Sequence, residues 1–470
     1  AGNYDINATC DDGTCCYADT SYTNITACDS VVWNGVTYDS SGVFTYMPEF
    51  MQVGQDIDGE ASGDYSGGAV SLSSDGNIMA IGANRNGGNG YYAGHVRIYE
   101  NNGGSWSQLG QDIDGALTWD ASGCSVSLSG DGNTVAIGAA GNDGNGSDAG
   151  HVRIYNYNGS SWTQLGPDID GEAANDNSGW SVSMSNDGNT VAIGAAHNDG
   201  NGNTSGHVRV YQNVGAFWSQ IGGDIDGEAE NDYSGKSVSI SSDGNTVAIG
   251  AYGNDANGGN EYGSGHVRVY NWNGSSWIQL GGDIDGQAAD DWSGWSVSLS
   301  ADGNTVAIGA PHSGNGSGYN SQEGHVSIYN YNGSAWNQVG QNIEGKAVND
   351  WSGVSVSLSD DGNRVAIGAS NSQGDGSGTW AGHVRIYQNI GGSWSQIGLD
   401  IDGEAANDES GQSISLSANG NTVAIGARKN DGNGTDAGHV RVYNLSTLTN
   451  AGGCDSTAIL NLTITNANTS

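Results

Sequence analysis

Four short runs of alternating apolar and polar residues stand between turn residues in the stretch from Asp168 to Gly222. They are SVSMS (Ser181 to Ser185), TVAIGA (Thr190 to Ala195), HVRVY (His207 to Tyr211) and FWSQIG (Phe217 to Gly222). Period-two alternation bounded by Gly, Asn and Asp predicts strands. Asp187-Gly188 predicts a tight hairpin between the first two. No stretch carries a helical period, and 81 glycines in 470 residues oppose helix everywhere. The same sentence begins again at Asp56, Asp112, Asp168, Asp224, Asp283, Asn342 and Asp400, at spacings of 56, 56, 56, 59, 59 and 58 residues. A fixed period of this size marks an array of one supersecondary unit. Seven units of four antiparallel strands predict an all-β chain forming a seven-bladed β-propeller over residues 50–443.

The seventh copy is incomplete. After His439 to Tyr443 the chain runs into LSTLTNAGG, with no fourth strand. The missing pattern, Trp-x-Gln-x-Gly, reappears ahead of the first copy as Phe50-Met51-Gln52-Val53-Gly54. This segment is expected to supply the outer strand of the last blade and close the ring, which removes the open edges of a linear array.

From Asp56 to about Tyr443 the pattern resembles the FG-GAP repeats of the integrin α-chain propeller and its secreted relatives. Ser293-Gly294 stands where that family has Phe-Gly, and Gly309-Ala310-Pro311 matches its Gly-Ala-Pro. The resemblance implies an extracellular propeller. Its calcium loop, D-x-D-x-D-G between strands one and two, is here a short turn such as Asp302-Gly303-Asn304, so calcium does not carry over to that position.

Charge narrows the partners. The net charge is −40, with 12 Lys plus Arg. Six of these cations are the Arg of the GHVR strand: Arg97, Arg153, Arg209, Arg268, Arg385 and Arg441. Such a chain repels phosphate backbones and anionic lipid, which argues against nucleic acid and against direct membrane insertion. No apolar run reaches transmembrane length. The chain opens at Ala1 without a signal peptide and is read as a mature or trimmed product. Five of its six cysteines lie in the flanks, which points outside the cell. Asn24, Asn158, Asn273, Asn332 and Asn461 head sequons and are the expected glycosylation sites.

Cys28-Asp29-Ser30-Val31-Val32-Trp33-Asn34-Gly35 and Gly453-Cys454-Asp455-Ser456, the latter leading into Leu460-Asn461-Leu462-Thr463-Ile464, together resemble the two halves of a small β module of secreted surface proteins. The resemblance implies a module split between residues 28–49 and 444–470, with the propeller inserted and a Cys28–Cys454 disulfide at its base. Such a bond would contribute roughly 3–5 kcal/mol across so long a loop. Residues 1–27 form a Cys-rich segment. Its first 17 residues resemble another short secreted repeat, with Gly2 in place of a cysteine. Cys10 is then expected to pair with Cys15 or Cys16. Cys124 replaces the residue that is Trp180 or Trp295 in other copies and reads as a packed thiol.

The candidate chemistry is mostly repeated. His95, His151, His207, His266, His325, His383 and His439 share one repeat position and read as structural; His197 and His312 read as isolated loop residues. Acidic loops are the candidate metal ligands: Asp168, Asp170, Glu172 and Asp176 before one blade, and Asp143, Asn145 and Asp148 between strands two and three of another. By strand alternation both loops emerge on one face. Hard oxygen ligands in this density suit Ca²⁺. Asp as turn former and charge as solubiliser are the competing reading. Trp106, Trp162, Trp218, Trp277, Trp336 and Trp394 share the fourth-strand position and should pack. Trp119, Trp180, Trp292, Trp295, Trp351 and Trp380 fall on the acidic-loop face, where rings either stack on sugars or pack between blades.

No nucleophile triad, phosphate loop or His-Glu metal motif stands out, so no enzyme is expected, a paired-carboxylate glycosidase being the distant alternative. Lys236, Lys346, Arg428 and Lys429 break the repeat but form no obvious set. The expectation is an extracellular structural or adhesive surface glycoprotein. It would assemble with itself into a filament or matrix by donating the strand that carries Ile459, Leu460, Leu462 and Ile464. The alternative is a calcium-assisted propeller that binds an extracellular glycan or protein.

Overall fold

The computed structural model describes residues 20–27, 31–33, 36–38, 41–45, 49–215, 217–255, 263–314, 322–372, 378–446 and 457–464. All regular structure among them is β. One compact unit takes in Gln52–Gln396 and Asp400–Asn444; the other contains the strands at both ends of the chain.

The third blade shows how the repeat folds. Its strands are Ser181–Met184, Thr190–Ala195, His207–Asn213 and Trp218–Gln220, hydrogen-bonded in that order. The first alternates half-buried Ser with buried Val182 and Met184, as an inner strand with one face on the axis must. The second is buried throughout, which is why Val-Ala-Ile-Gly-Ala is apolar on both faces. Gly194 lies within it because a Cβ there would stand 2.1 Å from the carbonyl oxygen of Gly235 in the next blade. The Trp of each fourth strand packs as expected and also binds the preceding blade: Trp218 Nε1 donates to Leu165 O at 2.9 Å.

One element was not foreseen. The D-I-D stretch reads as loop, yet Ile225–Asp226 is a two-residue strand paired with His207 and Val208 on the third strand. Ile225 is buried, and its equivalents serve every blade.

Closure is explicit. In the last blade the order is Ser413–Leu416, Thr422–Ala427, His439–Ser446, Glu49–Gln52, so the outer strand comes from the N-terminal side as the incomplete copy required. Val53 N–H donates to Val442 O at 2.7 Å. Around the axis the turns between strands one and two join into a ring. Ser74 donates to Gly130, Gly130 to Asn186, Asn186 to Ser242, Ser242 to Ala301, Ala301 to Asp360, Asp360 to Ala418 and Ala418 back to Ser74, all backbone N–H to O at 2.8–3.0 Å. A second circle runs through the inner strands, where a Ser hydroxyl of each blade accepts a backbone N–H from the next, as Ser127 Oγ does from Met184 and Ser415 Oγ from Leu72.

In the other unit Thr20–Ala27 runs parallel to Thr457–Ile464, and Gly42–Thr45 runs antiparallel along its other side. Val31–Trp33 and Val36–Tyr38 form a separate hairpin. Both ends of the chain therefore share a sheet, and Thr20–Ala27, which the sequence placed in the Cys-rich segment, belongs to it. The strand proposed for donation, with Ile459, Leu460, Asn461, Leu462 and Ile464, is the central one, and its two backbone edges are taken within its own chain. Cys10, Cys15, Cys16, Cys28 and Cys454 lie outside the described residues, so the disulfide-tied form of the module is without structural support. Cys124 is the described cysteine and is a free thiol.

Candidate functional site

The predicted metal ligands are brought to one face, but most already have other partners. Asp176 is buried and accepts Ala173 N–H at 2.9 Å and the Asn198 amide at 3.1 Å. Asp168 is clamped by Arg153, at 3.1 Å to Nε and 2.8 Å to Nη2, and this guanidinium helps hold its carboxyl below the usual range. Asp143 accepts the Asp148 N–H at 2.9 Å, closing its loop. Asn145 donates its amide to the carbonyls of Gly171 and Glu172, tying the two acidic loops together. Asp170, Glu172 and Asp148 remain exposed. These bonds make Asp143, Asn145, Asp168 and Asp176 connectors of turns and blades.

The repeated His sit beside the carboxylates. His151, Asp168 and Asp170 each offer an atom within 4.8 Å of the others, as do Glu172, His207 and Asp224. Burial drives these imidazoles toward the neutral form; for His266 and His439 the pKa falls to about 4. A guanidinium stands in each group, with Arg209 Nη1 3.6 Å from Glu172. That charge already answers the carboxylates and opposes a dication. The Arg also ties blades together, since Arg209 Nη2 donates to Asp170 O at 2.8 Å.

A different set of residues meets at the axis. The position after each Ser-Gly turn is occupied in chain order by Gly68, Cys124, Trp180, Lys236, Trp295, Val354 and Gln412, and all seven line one cavity of about 540 Å³. Three further variable positions add to it. Tyr65, Ala121, Asn177 and Trp351 come from just before that turn; Asn84, Arg85, Ala140, Gly141 and Arg428 follow the second strand. The flanking Ser-Gly, Ser-Val-Ser and Ala-Ile-Gly-Ala stretches barely vary between copies. The scaffold is therefore repeated, and the mouth is where the repeats differ.

Its chemistry is aromatic and cationic. Lys236 Nζ lies 4.4 Å from the Trp180 ring centroid and 4.3 Å from that of Trp295. Burial and the Arg428 charge lower its pKa to about 8. Arg85 stacks on Tyr65 at 4.1 Å. Arg428 and Lys429 share the buried Glu409, at 2.8 and 2.6 Å. Among the described residues the cavity lining includes three cations and no carboxylate. Behind it a belt of rings runs from Trp180 through His197, Tyr233, Tyr252, Trp295, Trp292 and His312 to Trp351.

Two expectations are thereby corrected. The repeat-breaking cations do form a set: Lys236 and Arg428 line the mouth with Arg85, and Lys429 joins through Glu409. Lys346 stands apart, paired with Asp400. His197 and His312 are members of the ring belt, not isolated loop residues. Trp180, Trp295 and Trp351 line the cavity, whereas Trp119 is exposed and meets Tyr91 and Tyr92, and Trp380 is exposed as well. Cys124 packs as foreseen, with its Sγ 3.4 Å from Gly138 O, and burial raises its pKa. The signal that marks the site was available in the sequence: align the seven copies and keep the columns that vary between invariant neighbours.

The FG-GAP repeat profile matches residues 169–211, 224–270 and 400–443, each a run from the start of one unit through its GHVR strand. These units are FG-GAP repeats. The chain is a seven-bladed β-propeller in which these three units carry the FG-GAP match. No curated protein sequence matches the chain. Among solved structures, a Bacteroides uniformis protein assigned as a 6-phosphogluconolactonase aligns at 12% identity and a TM-score of 0.48, covering 72% of this chain and 85% of that one. Hydrazine synthase of Kuenenia stuttgartiensis aligns at 12% identity and a TM-score of 0.48, covering 80% and 94%. Neither likeness bears on chemistry.

Proposed function

We propose that this chain is a secreted surface protein that binds an extracellular glycan or protein in the axial mouth of its FG-GAP propeller. One observation carries the reading: the variable positions of seven near-identical repeats converge on one cavity whose size suits a small ligand or the end of a longer one. The proposed role is binding without catalysis. Exposed sequons at Asn158, Asn273 and Asn332, each in the turn before a fourth strand, support a glycosylated surface. Glycan and peptide arrays, probed with the intact chain and with a Trp180→Ala/Trp295→Ala variant, test the proposal. Hits lost in the variant support the mouth; hits that survive unchanged place binding elsewhere.

Self-assembly into a filament or matrix is the second reading. It is favoured by the terminal sheet, in which Thr20–Ala27 is an outer strand over its whole length. Joining through that edge would leave the central strand in place. Sedimentation across salt and calcium conditions tests it, and a chain that stays monomeric throughout counts against it.

A further inference from the structure

Resting on the mouth as binding site, we infer that its ligand is an acidic saccharide, with a carboxylate or sulfate group held at Lys236 and Arg85 and a sugar ring laid on an indole face.

The charge distribution points to an anion. The chain carries 52 acidic residues, yet among the described residues no carboxylate lines this cavity and three cations do. Arg428 is answered by Glu409. Among the described residues no acid pairs with Lys236 or Arg85. Lys236 is held between two indoles, whose faces attract a cation but offer its three N–H donors no oxygen acceptor. An ammonium kept half-buried in this way is costly unless something supplies acceptors. An anionic oxygen entering the cavity supplies both charge and acceptors, and charge-assisted bonds of this kind are the strong ones.

The rest of the lining points to a sugar and not to an acidic peptide. Trp180 and Trp351 bring indole rings to the lining, of the kind on which the CH-rich side of a pyranose ring lies, while Trp295 is already met by Lys236 and by the stacked Trp292. Asn84 and Gln412 add amides, each with donors and an acceptor, which suits hydroxyl groups. A peptide would more often take a free strand edge. Here each inner strand is bonded to its own blade on one side and donates a backbone N–H to a Ser hydroxyl of the neighbouring blade on the other.

Calorimetric titration of the full chain tests the inference with three probes of matched length: oligogalacturonate, a sulfated galactan oligosaccharide and a neutral galactan oligosaccharide. Oligoglutamate is the fourth. At least one acidic sugar should bind roughly tenfold or more tighter than the neutral one. Lys236→Gln should abolish that preference, and the exposed Arg85→Gln, which carries little folding risk, should reduce it. Which acidic sugar wins separates carboxylate from sulfate recognition. Equal binding of neutral and acidic sugars, unchanged by either variant, would overturn the inference while leaving the mouth a binding site. Preference for oligoglutamate, lost in Lys236→Gln, would overturn the saccharide assignment alone. If no probe binds, the inference fails, and the Trp180→Ala/Trp295→Ala arrays decide the wider reading separately.

Discussion

Replacing Lys236 with Met should make the protein more stable near neutral pH. The lysine is charged in the folded state at a cost, because burial and Arg428 reduce its pKa from 10.5 to about 8. That drop corresponds to roughly 3 kcal/mol at 1.36 kcal/mol per pH unit. The side chain keeps some exposure, and the two indoles attract the ammonium, so the net cost is about 1 kcal/mol. Methionine fills similar space and packs well against aromatic rings. The pH dependence is the diagnostic. Below about 8 both folded and unfolded wild-type chains hold the proton, and the full cost applies. Between about 8 and 10.5 only the unfolded chain holds it, so wild-type stability rises with pH relative to the variant. Above 10.5 the advantage of Met should have closed. Urea unfolding followed by tryptophan fluorescence at several pH values measures this. A variant less stable than wild type near neutrality, or a difference that does not change with pH, would refute the reasoning. His197, shifted down by burial and then by the Lys236 charge, is neutral through this range.

Four further outcomes are expected. Gly194→Ala forces a Cβ to 2.1 Å from Gly235 O and should cost about 3 kcal/mol or prevent folding, read as a lost or lowered thermal transition. Asp176→Ala removes the acceptor of Ala173 N–H and the Asn198 amide; a loss of about 1–3 kcal/mol in urea, with ligand affinity unchanged, is expected. Acidification should destabilise the propeller as pH falls from about 6.5 toward 4, because the unfolded chain protonates imidazoles such as His266, His325, His383 and His439 while the folded state keeps them neutral; a flat stability profile across that window would contradict it. Chelation should leave the melting temperature unchanged, and a rise of several degrees on adding millimolar calcium would show that the acidic loops do hold an ion.

The blade count and the closing strand were legible because both rest on period and pattern, which survive without knowledge of contacts. The two-residue strand at Ile225–Asp226 was not, since Asp and Gly flank it and announce a turn; only the buried Ile gives it away. The acidic residues drew attention as ligands by their number, but number is a property of the surface. Asp176 and Asn145 prove to be fasteners within and between loops. The mouth was harder to see because it exists only after closure. Gly68 and Gln412 come from opposite ends of the propeller sequence, and nothing local to Lys236 says that it will stand between Trp180 and Trp295.

Closure by Glu49–Gln52 on His439–Ser446 also sets an order of events in time. The strand that completes the last blade is made first and must wait, unpaired, for nearly the whole of the propeller to be synthesised. Contacts of such sequence separation form slowly. Once made, each blade lies between two neighbours, and none can leave without opening both circles of hydrogen bonds around the axis. The durability of this molecule should therefore be governed by its unfolding rate more than by its equilibrium stability.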